Sequence, residues 1–552
     1  MSTQFYNNSR KIASDFLQNI VFIDDKAFEN NESKGKHDFD AYAVTKAFAS
    51  HKKICAVYKP KINNDIFDLA QLAKRADVTV LDWHIELSKE IPSAASEEEE
   101  EEIEDPRGQH TLHIIREILS DPIVGKGSLK LIVIYTGEVD LDSIANTIHT
   151  DLESIGIKNI QKSFCELCTD NIKIIVIAKS DPALDAEGRT DERYTHSPNL
   201  AERVKSYDQL PDYIIDRFSS LTNGLLPNFA LKALTIIREN TFMLLSKYNK
   251  DLDPAFVTHR LLLPDQEDSK ELLVELFAHS LHSLLLYNSV NETVNTDEVV
   301  NWIDTQKFEF QIPVSSHVLS ITNEDVKTWV STSFIEMCSR IWEANNYGTV
   351  SKKIKDEFTK TINSLPAYFI SGDRDNKFDK QFSILTHHKS IFKPNPISPK
   401  LTLGTVIKGI KSNTYWVCIQ QRCDSVRIKD VRKFLFLPLE IVRSDSNELF
   451  HFITDDGIRL RLQKKSYSIR TIKFQVQGGD KVINALKHED KFLFEPYYKE
   501  GRREYEYAND ESYEWIFDLK DLHAQRIVID FTTQLARVGV DESEWLRRGY
   551  TR

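Results

Sequence analysis

Four runs in the first third of the chain, NIVFIDD ending at Asp25, DVTVLDW around Asp82, KLIVIYTG around Thr136 and KIIVIAKS around Lys179, are apolar, rich in Val and Ile, and free of polar–apolar alternation. A strand with one wet face alternates, so continuous β-branched runs predict strands covered on both faces, as in a parallel sheet flanked by helices. The strand ends of such a sheet meet at one crevice. The amphipathic stretch HTLHIIREIL suits a covering helix. Beyond residue 200 the period changes. Leu234, Ile237, Leu244, Leu245 and Tyr248, then Leu273, Leu276, Phe277, Leu281, Leu284 and Leu285, recur at helical spacing and are expected as core stripes. Asp253 and Pro254 predict the N-cap and first position of a helix running through Phe256 and Arg260. His259 on that helix has no partner at ligand spacing and is expected to be structural. From Leu401 strands return: TYWVCIQQ puts Tyr415, Val417 and Ile419 on one face, FLFLPLEIV is a buried run, and ELFHFIT and IRLRLQ flank a turn at Asp455, Asp456 and Gly457. The final TTQLARVGVDESEWLRR predicts two short helices.

These patterns predict an α/β domain with a five-stranded parallel sheet over residues 1–185, carrying an acidic insertion near 91–108. A linker and helical domain follows over 186–310, a mostly helical connecting region over 311–397, and a mainly antiparallel β-rich domain over 398–552 that ends in short helices. A length of 552 residues points to three or four domains.

Composition narrows the classes. With 41% hydrophobic and 28% charged residues the chain reads as soluble and globular, and no apolar run is long enough to span a bilayer. The opening MSTQFYNNSRKIASDF lacks the apolar core of a signal peptide, so a cytoplasmic protein without membrane association is expected. A net charge of −13 argues against broad nucleic-acid affinity. Arg459, Arg461, Lys464, Lys465, Arg470 and Lys473 make a local basic stretch, expected as a solvated sheet face, with a nucleic-acid or phosphorylated-partner surface as the alternative. No helix-turn-helix pattern emerges. Six scattered cysteines predict no disulfide framework. Cys165 and Cys168 form a lone CxxC; a zinc site would need Cys418 and Cys423 as well, and buried small residues are the simpler reading. Cys423 in CDSVR has no histidine partner that would make it a nucleophile. IVGKGS, from Ile123 to Ser128, lacks the spacing of a phosphate loop and predicts a turn. The run Glu97 to Glu102 predicts an exposed loop, because adjacent carboxylates resist joint desolvation.

The chemistry concentrates at the strand ends. Asp24, Asp25, Asp82, Thr136 and Lys179 each close an apolar run. Magnesium takes hard oxygen ligands in near-octahedral geometry and keeps several waters, so Asp25 and Asp82 are the candidate side-chain ligands, with Asp24 assisting through water and the main-chain carbonyl of His84 adding one more. Lys179 supplies a compact cation and Thr136 a hydroxyl donor for phosphoryl oxygens.

These five positions, in this order, resemble the receiver domain of bacterial response regulators, over about the first third of the chain. The resemblance implies a flavodoxin-like fold, a Mg2+ cofactor, Asp82 as phosphoacceptor, and Thr136 and Lys179 as the groups that stabilise and read the phosphoryl group. It departs from the family at four points: the longer Asp82–Thr136 stretch with its acidic insertion, the enlarged Thr136–Lys179 stretch, Val176 where an aromatic switch residue is usual three positions before the lysine, and Ser180 where a proline commonly follows it. DVTVLDWHIEL, HTLHIIREIL, LPNFALKALTIIRENTFMLL and LDPAFVTHRLLL together resemble large atypical receiver proteins of bacterial conflict systems. That resemblance implies a histidine-kinase-like ATPase and other proteins of the same signalling or defence system as partners, in an antiphage setting. The expected function is phosphoacceptance on Asp82 relayed to the helical and β-rich regions, with no enzyme activity beyond the receiver's own phosphorylation and dephosphorylation. An unphosphorylated pseudo-receiver adaptor is the alternative, ahead of a nucleic-acid-binding or enzymatic effector.

Overall fold

The computed structural model describes residues 3–28, 39–87, 107–121, 129–169, 171–180, 198–263, 266, 268–365, 377–392, 397–443, 450–463, 465–477, 481–497 and 511–535. The acidic run at 97–102, the IVGKGS segment from residue 123 on and Lys464 lie outside the described residues. The chain divides into two compact units, Met1–Lys307 with Asn323–Ser331, and Phe308–Thr322 with Thr332–Arg552.

The first unit is built on five parallel strands in the order β2-β1-β3-β4-β7. These are β1 (Asn19–Ile23), β2 (Ile54–Tyr58), β3 (Val78–Leu81), β4 (Lys130–Thr136) and β7 (Ile172–Lys179). All four residues of β3 and all seven of β4 are buried, as their unalternating sequences require. Alternate residues serve opposite faces. Ile132, Ile134, Ile174 and Val176 meet Ile66 and Leu69 of α3 (Asn63–Arg75), Ile114 and Ile118 of α4 (Gln109–Leu119), and Ile144 and Ile148 of α5 (Leu141–Ser154). Leu131, Val133, Ile175 and Ile177 meet Ala13 of α1 (Thr3–Phe16), Val44 and Phe48 of α2 (Ala41–Ser50), and Ile214 and Phe218 of α6 (Leu210–Thr222).

The parallel core stands as expected, but the sheet is larger. A hairpin, β5 (Gln161–Ser163) and β6 (Glu166–Cys168), pairs antiparallel with β7, and β8 (Val204–Lys205) adds a short parallel edge. The CxxC lies in this hairpin: Cys165 is buried at its turn with φ +58°, and Cys168 is half-buried. α6 covers the second face of the sheet, burying Ile214, Ile215 and Phe218 against it. α7 (Leu225–Glu239) is tied in as well: Arg238 Nη2 donates to Asp77 Oδ1 at 2.7 Å, and Asn228 Nδ2 donates to Ser9 Oγ at 2.8 Å. The helical segment after α6 also holds a small core of its own, in which Ala233 and Ile236 of α7 meet Leu244, Leu284 and Val290.

In the second unit, β9 (Glu309–Val314) and β10 (His317–Thr322) form a hairpin at the start of the region expected to be mostly helical. Helices at Phe334–Ala344, Lys352–Ser364 and Lys377–His387 fill much of the rest of that region. A nine-stranded antiparallel sheet follows. Its longest strand, Val431–Val442, pairs through Val431–Phe436 with Arg470–Gln475 and through Leu439–Val442 with Arg459–Leu462. Tyr415, Val417 and Ile419 share one core, as their alternation predicts. Trp416 and Cys418 face the other. Leu460 and Leu462 are buried, while Arg461 bonds Glu440 and Arg459 lies over the Phe450 ring. The last element among the described residues is a helix, Asp521–Leu535, which packs Ala524, Ile527 and Phe531 onto the sheet; residues 536–548 of the stretch expected as two short helices lie outside the described residues.

Candidate functional site

Hydrogen bonding at the strand ends brings the acids level. Ile23 pairs with Tyr58 on one side and Leu81 on the other, the Asp24 N–H donates to Tyr58 O, and the Asp82 N–H donates to Ile23 O. Thr136 pairs with Ala178, one residue before Lys179. Asp24, Asp25, Asp82, Thr136 and Lys179 are all buried, none more than 8% exposed.

Lys179 Nζ lies 2.7 Å from Asp24 Oδ2 and 2.7 Å from Asp82 Oδ2. Asp24, Asp25 and Asp82 each present a carboxylate oxygen within 4.8 Å of the others. Asp24 Oδ1 accepts from the Lys26 N–H, and Asp25 Oδ2 from the Glu86 N–H. Asp25 Oδ1 is buried with no hydrogen-bond partner among the described residues. Burial raises the Asp24 carboxyl above the usual range; Lys179 opposes this and Asp82 adds to it. Asp25 is raised too, chiefly by burial. Burial pulls the Lys179 ammonium down, but Asp82 and Asp24 more than reverse it, so it stays charged. Three ionised carboxylates against one ammonium would leave two negative charges, which, with the orphaned Asp25 oxygen, fits a small hard dication. Thr136 Oγ1 accepts from the Glu138 N–H, a role that does not use the hydroxyl's own proton. His84 stands two residues past Asp82, its Nε2 3.6 Å from Glu86 Oε1; its imidazole is not among the clustered ligand atoms.

Residues 16–183 match the family model of the response receiver domain. The chain carries a response receiver domain. The match covers 168 of 552 residues. No curated protein and no solved structure matches the chain.

Around the receiver's acids the structure adds groups that pattern reading did not single out. Thr111 Oγ1, on α4, donates to Asp82 O at 2.6 Å and fixes the backbone of the candidate acceptor. Only a threonine inside an apolar helix stripe could have signalled it. The Trp83 ring covers Gly108, where a Cβ would fall 2.3 Å from the ring, so only the bare Cα admits the approach. Phe39 and Tyr135 place their rings 5.6 and 5.9 Å from Lys179 Nζ. Tyr207 packs edge-on against both rings, and the Tyr135 hydroxyl donates to Lys205 O at 2.8 Å. Val176 is fully buried, and its N–H donates to Cys165 O in the added hairpin. The aromatic groups near the lysine thus come from β4 and from the segments that carry Phe39 and Tyr207, not from β7. No helix among the described residues is long and apolar enough to cross a membrane.

Proposed function

We propose that the protein is a phosphoacceptor response regulator in which Asp82 takes a phosphoryl group. The observation that carries this reading is the position of Lys179 Nζ, 2.7 Å from both Asp24 and Asp82 within a buried three-carboxylate cluster. A scaffold has no chemical need for that set. An Asp82 carboxylate oxygen attacks phosphorus in line, an acyl-phosphate P–O bond forms, and the donor's P–N or P–O bond breaks with the electron pair leaving on the donor. Lys179 transfers its contact to a phosphoryl oxygen, and Thr136 donates its O–H to another. Asp24, Asp25 and Asp82, with the His84 carbonyl, would hold Mg2+, which when bound neutralises charge on the phosphoryl oxygens. The added charge of about −2 then biases a two-state receiver. The resemblance to large conflict-system receivers supports a histidine-kinase-like ATPase as donor, other proteins of the same system as readers, and antiphage defence as the setting.

A non-phosphorylated adaptor is the second reading, favoured by the buried Val176 at the usual switch position. One experiment separates them. With Mg2+ and a small acyl-phosphate donor, rapid trapping and mass spectrometry should find a phosphoryl group on wild type and none on Asp82→Asn. Equal modification of both proteins rejects the acceptor. No modification, together with no beryllofluoride binding, moves the assignment to the adaptor.

A further inference from the structure

The three helices that come directly after α7 leave most of their apolar stripes uncovered. In α8 (Thr241–Lys247) only Leu244 is buried, leaving Phe242 84% and Leu245 59% exposed. α9 (Asp253–Leu262) has no buried residue, and Leu261 and Leu262 are 64% and 79% exposed. α10 (Asp268–Tyr287) buries only Ser269 and Leu284; Val274 is 71% and Tyr287 78% exposed. What fixes α10 is its C-terminal half: Leu281, Leu284 and Leu285 rest on Ala233 and Ile236 of α7, and Phe277 rests on Tyr248. From Glu271 to His279 only Leu272 is even half-buried.

We infer that this helical arm is the interface of a homodimer, with α9 and α10 of two copies packing as a bundle about a two-fold axis. Area and composition both commit the surface to a second copy. Phe242 and Tyr287 alone, at these exposures, present on the order of 350 Å², and the apolar residues of α8 to α10 together exceed the roughly 800 Å² that each partner of a standard interface contributes. Monomers rarely leave apolar patches beyond about 300–600 Å². Leu276 to Tyr287 contains no Asp, Glu, Lys or Arg. Transient partners meet over surfaces with ordinary polar content, whereas obligate homodimer interfaces resemble a core cut in half. α10 gathers Asp268, Glu271, Glu275, His279 and His282 on one stripe and is mostly apolar around the rest, the pattern of a bundle helix whose apolar side meets a second copy while its polar stripe stays wet. A second copy is present whenever the first is made, and a two-fold axis sets the same patch of each copy against the other.

The test is the mass of the full-length protein in solution by light scattering, for a 63.8 kDa chain. Wild type should run as a dimer at micromolar concentration. The pair Leu261→Glu and Val274→Glu, both at exposed positions and so without effect on folding, should weaken association at least 100-fold and yield monomer with unchanged circular dichroism. Ile529→Glu, on the exposed part of the last helix, should leave the dimer intact. A monomeric wild type, a dimer that survives the paired substitution, or a monomer that gains mass only with a different co-purified protein would each overturn the assignment to a second copy.

Discussion

Replacing Lys179 with methionine tests the electrostatic logic of the receiver pocket. The side chain keeps its length and loses its charge, so the two 2.7 Å contacts to Asp24 and Asp82 disappear while packing is retained. At an effective dielectric near 20 each contact is worth about 6 kcal/mol in gross attraction, and much of that offsets desolvation. Breaking a buried pair by deleting one member typically costs about 3–5 kcal/mol, because the remaining charge stays buried. Here three carboxylates remain with oxygens within 4.8 Å, where each ionised pair repels by about 3.5 kcal/mol, so one takes up a proton instead. The raised Lys179 value means that its stabilisation is complete below the ordinary lysine pKa and is lost only as pH rises through the folded value; at pH 7 all of it is at stake. The raised Asp24 and Asp25 values act in the same direction of pH: stability is full below the ordinary carboxylate range and falls as pH climbs through their folded values. The Lys179→Met deficit should therefore be about 3–5 kcal/mol at pH 7 in the absence of metal, smaller at pH 5, and largely recovered by millimolar Mg2+ at pH 7. Hydrogen exchange of peptides covering β4 and β7 reads the receiver alone. Unchanged protection, or a deficit that grows as pH falls, would refute the argument.

Two further outcomes follow from other sites. Gly108→Ala places a Cβ about 2.3 Å from Trp83 Cζ2 at a φ of +84°, so with backbone strain of about 1–2 kcal/mol plus the clash it should destabilise the receiver by about 2–3 kcal/mol; because Trp83 follows Asp82, phosphorylation under limiting donor should also slow, and a normal rate with normal stability would show that the ring moves freely. In the second unit, burial, then His523, His388 and Lys520, depress His387 to about 4, so its contribution is present above pH 6.5 and is lost as pH falls towards 4; since the side chain is only half-buried, screening reduces the effect to about 1 kcal/mol, and acid unfolding of this unit should be shallower in His387→Gln, while an identical pH profile would remove His387 as its cause.

How much could be read in advance depended on whether a residue's neighbours are close in sequence or only in space. β3, β4 and β7 are buried on both faces by helices, so their unbroken apolar runs were diagnostic, and the polar residue ending each run had to fall at one sheet end. β2, with a half-buried pattern and no acid at its end, left no comparable mark. The hairpin beside β7 was hidden because its strands are three residues each and mostly exposed or half-buried. Thr111, Tyr135 and Tyr207 reach the site by tertiary contacts that periodicity does not encode.

The apolar stripes of α8 to α10 are the instructive failure. Period 3.6 predicts that a face will be covered, and Leu273, Leu276 and Phe277 were expected in a core; they are 40%, 46% and 45% exposed. The pattern correctly reports a demand for burial but says nothing about which molecule meets it. Leu284, on the same helix, meets α7 within the chain, so one continuous stripe serves an intramolecular core at one end and leaves the other end unserved. A helix selected only for its own unit's core would carry polar residues once it left that core, as α3 does with Asp65, Asp68, Lys74 and Arg75 beside its buried Ile66 and Leu69. That α10 keeps Leu273, Val274 and Leu276 beyond its contact with α7 is a reason to seek its missing partner outside the chain.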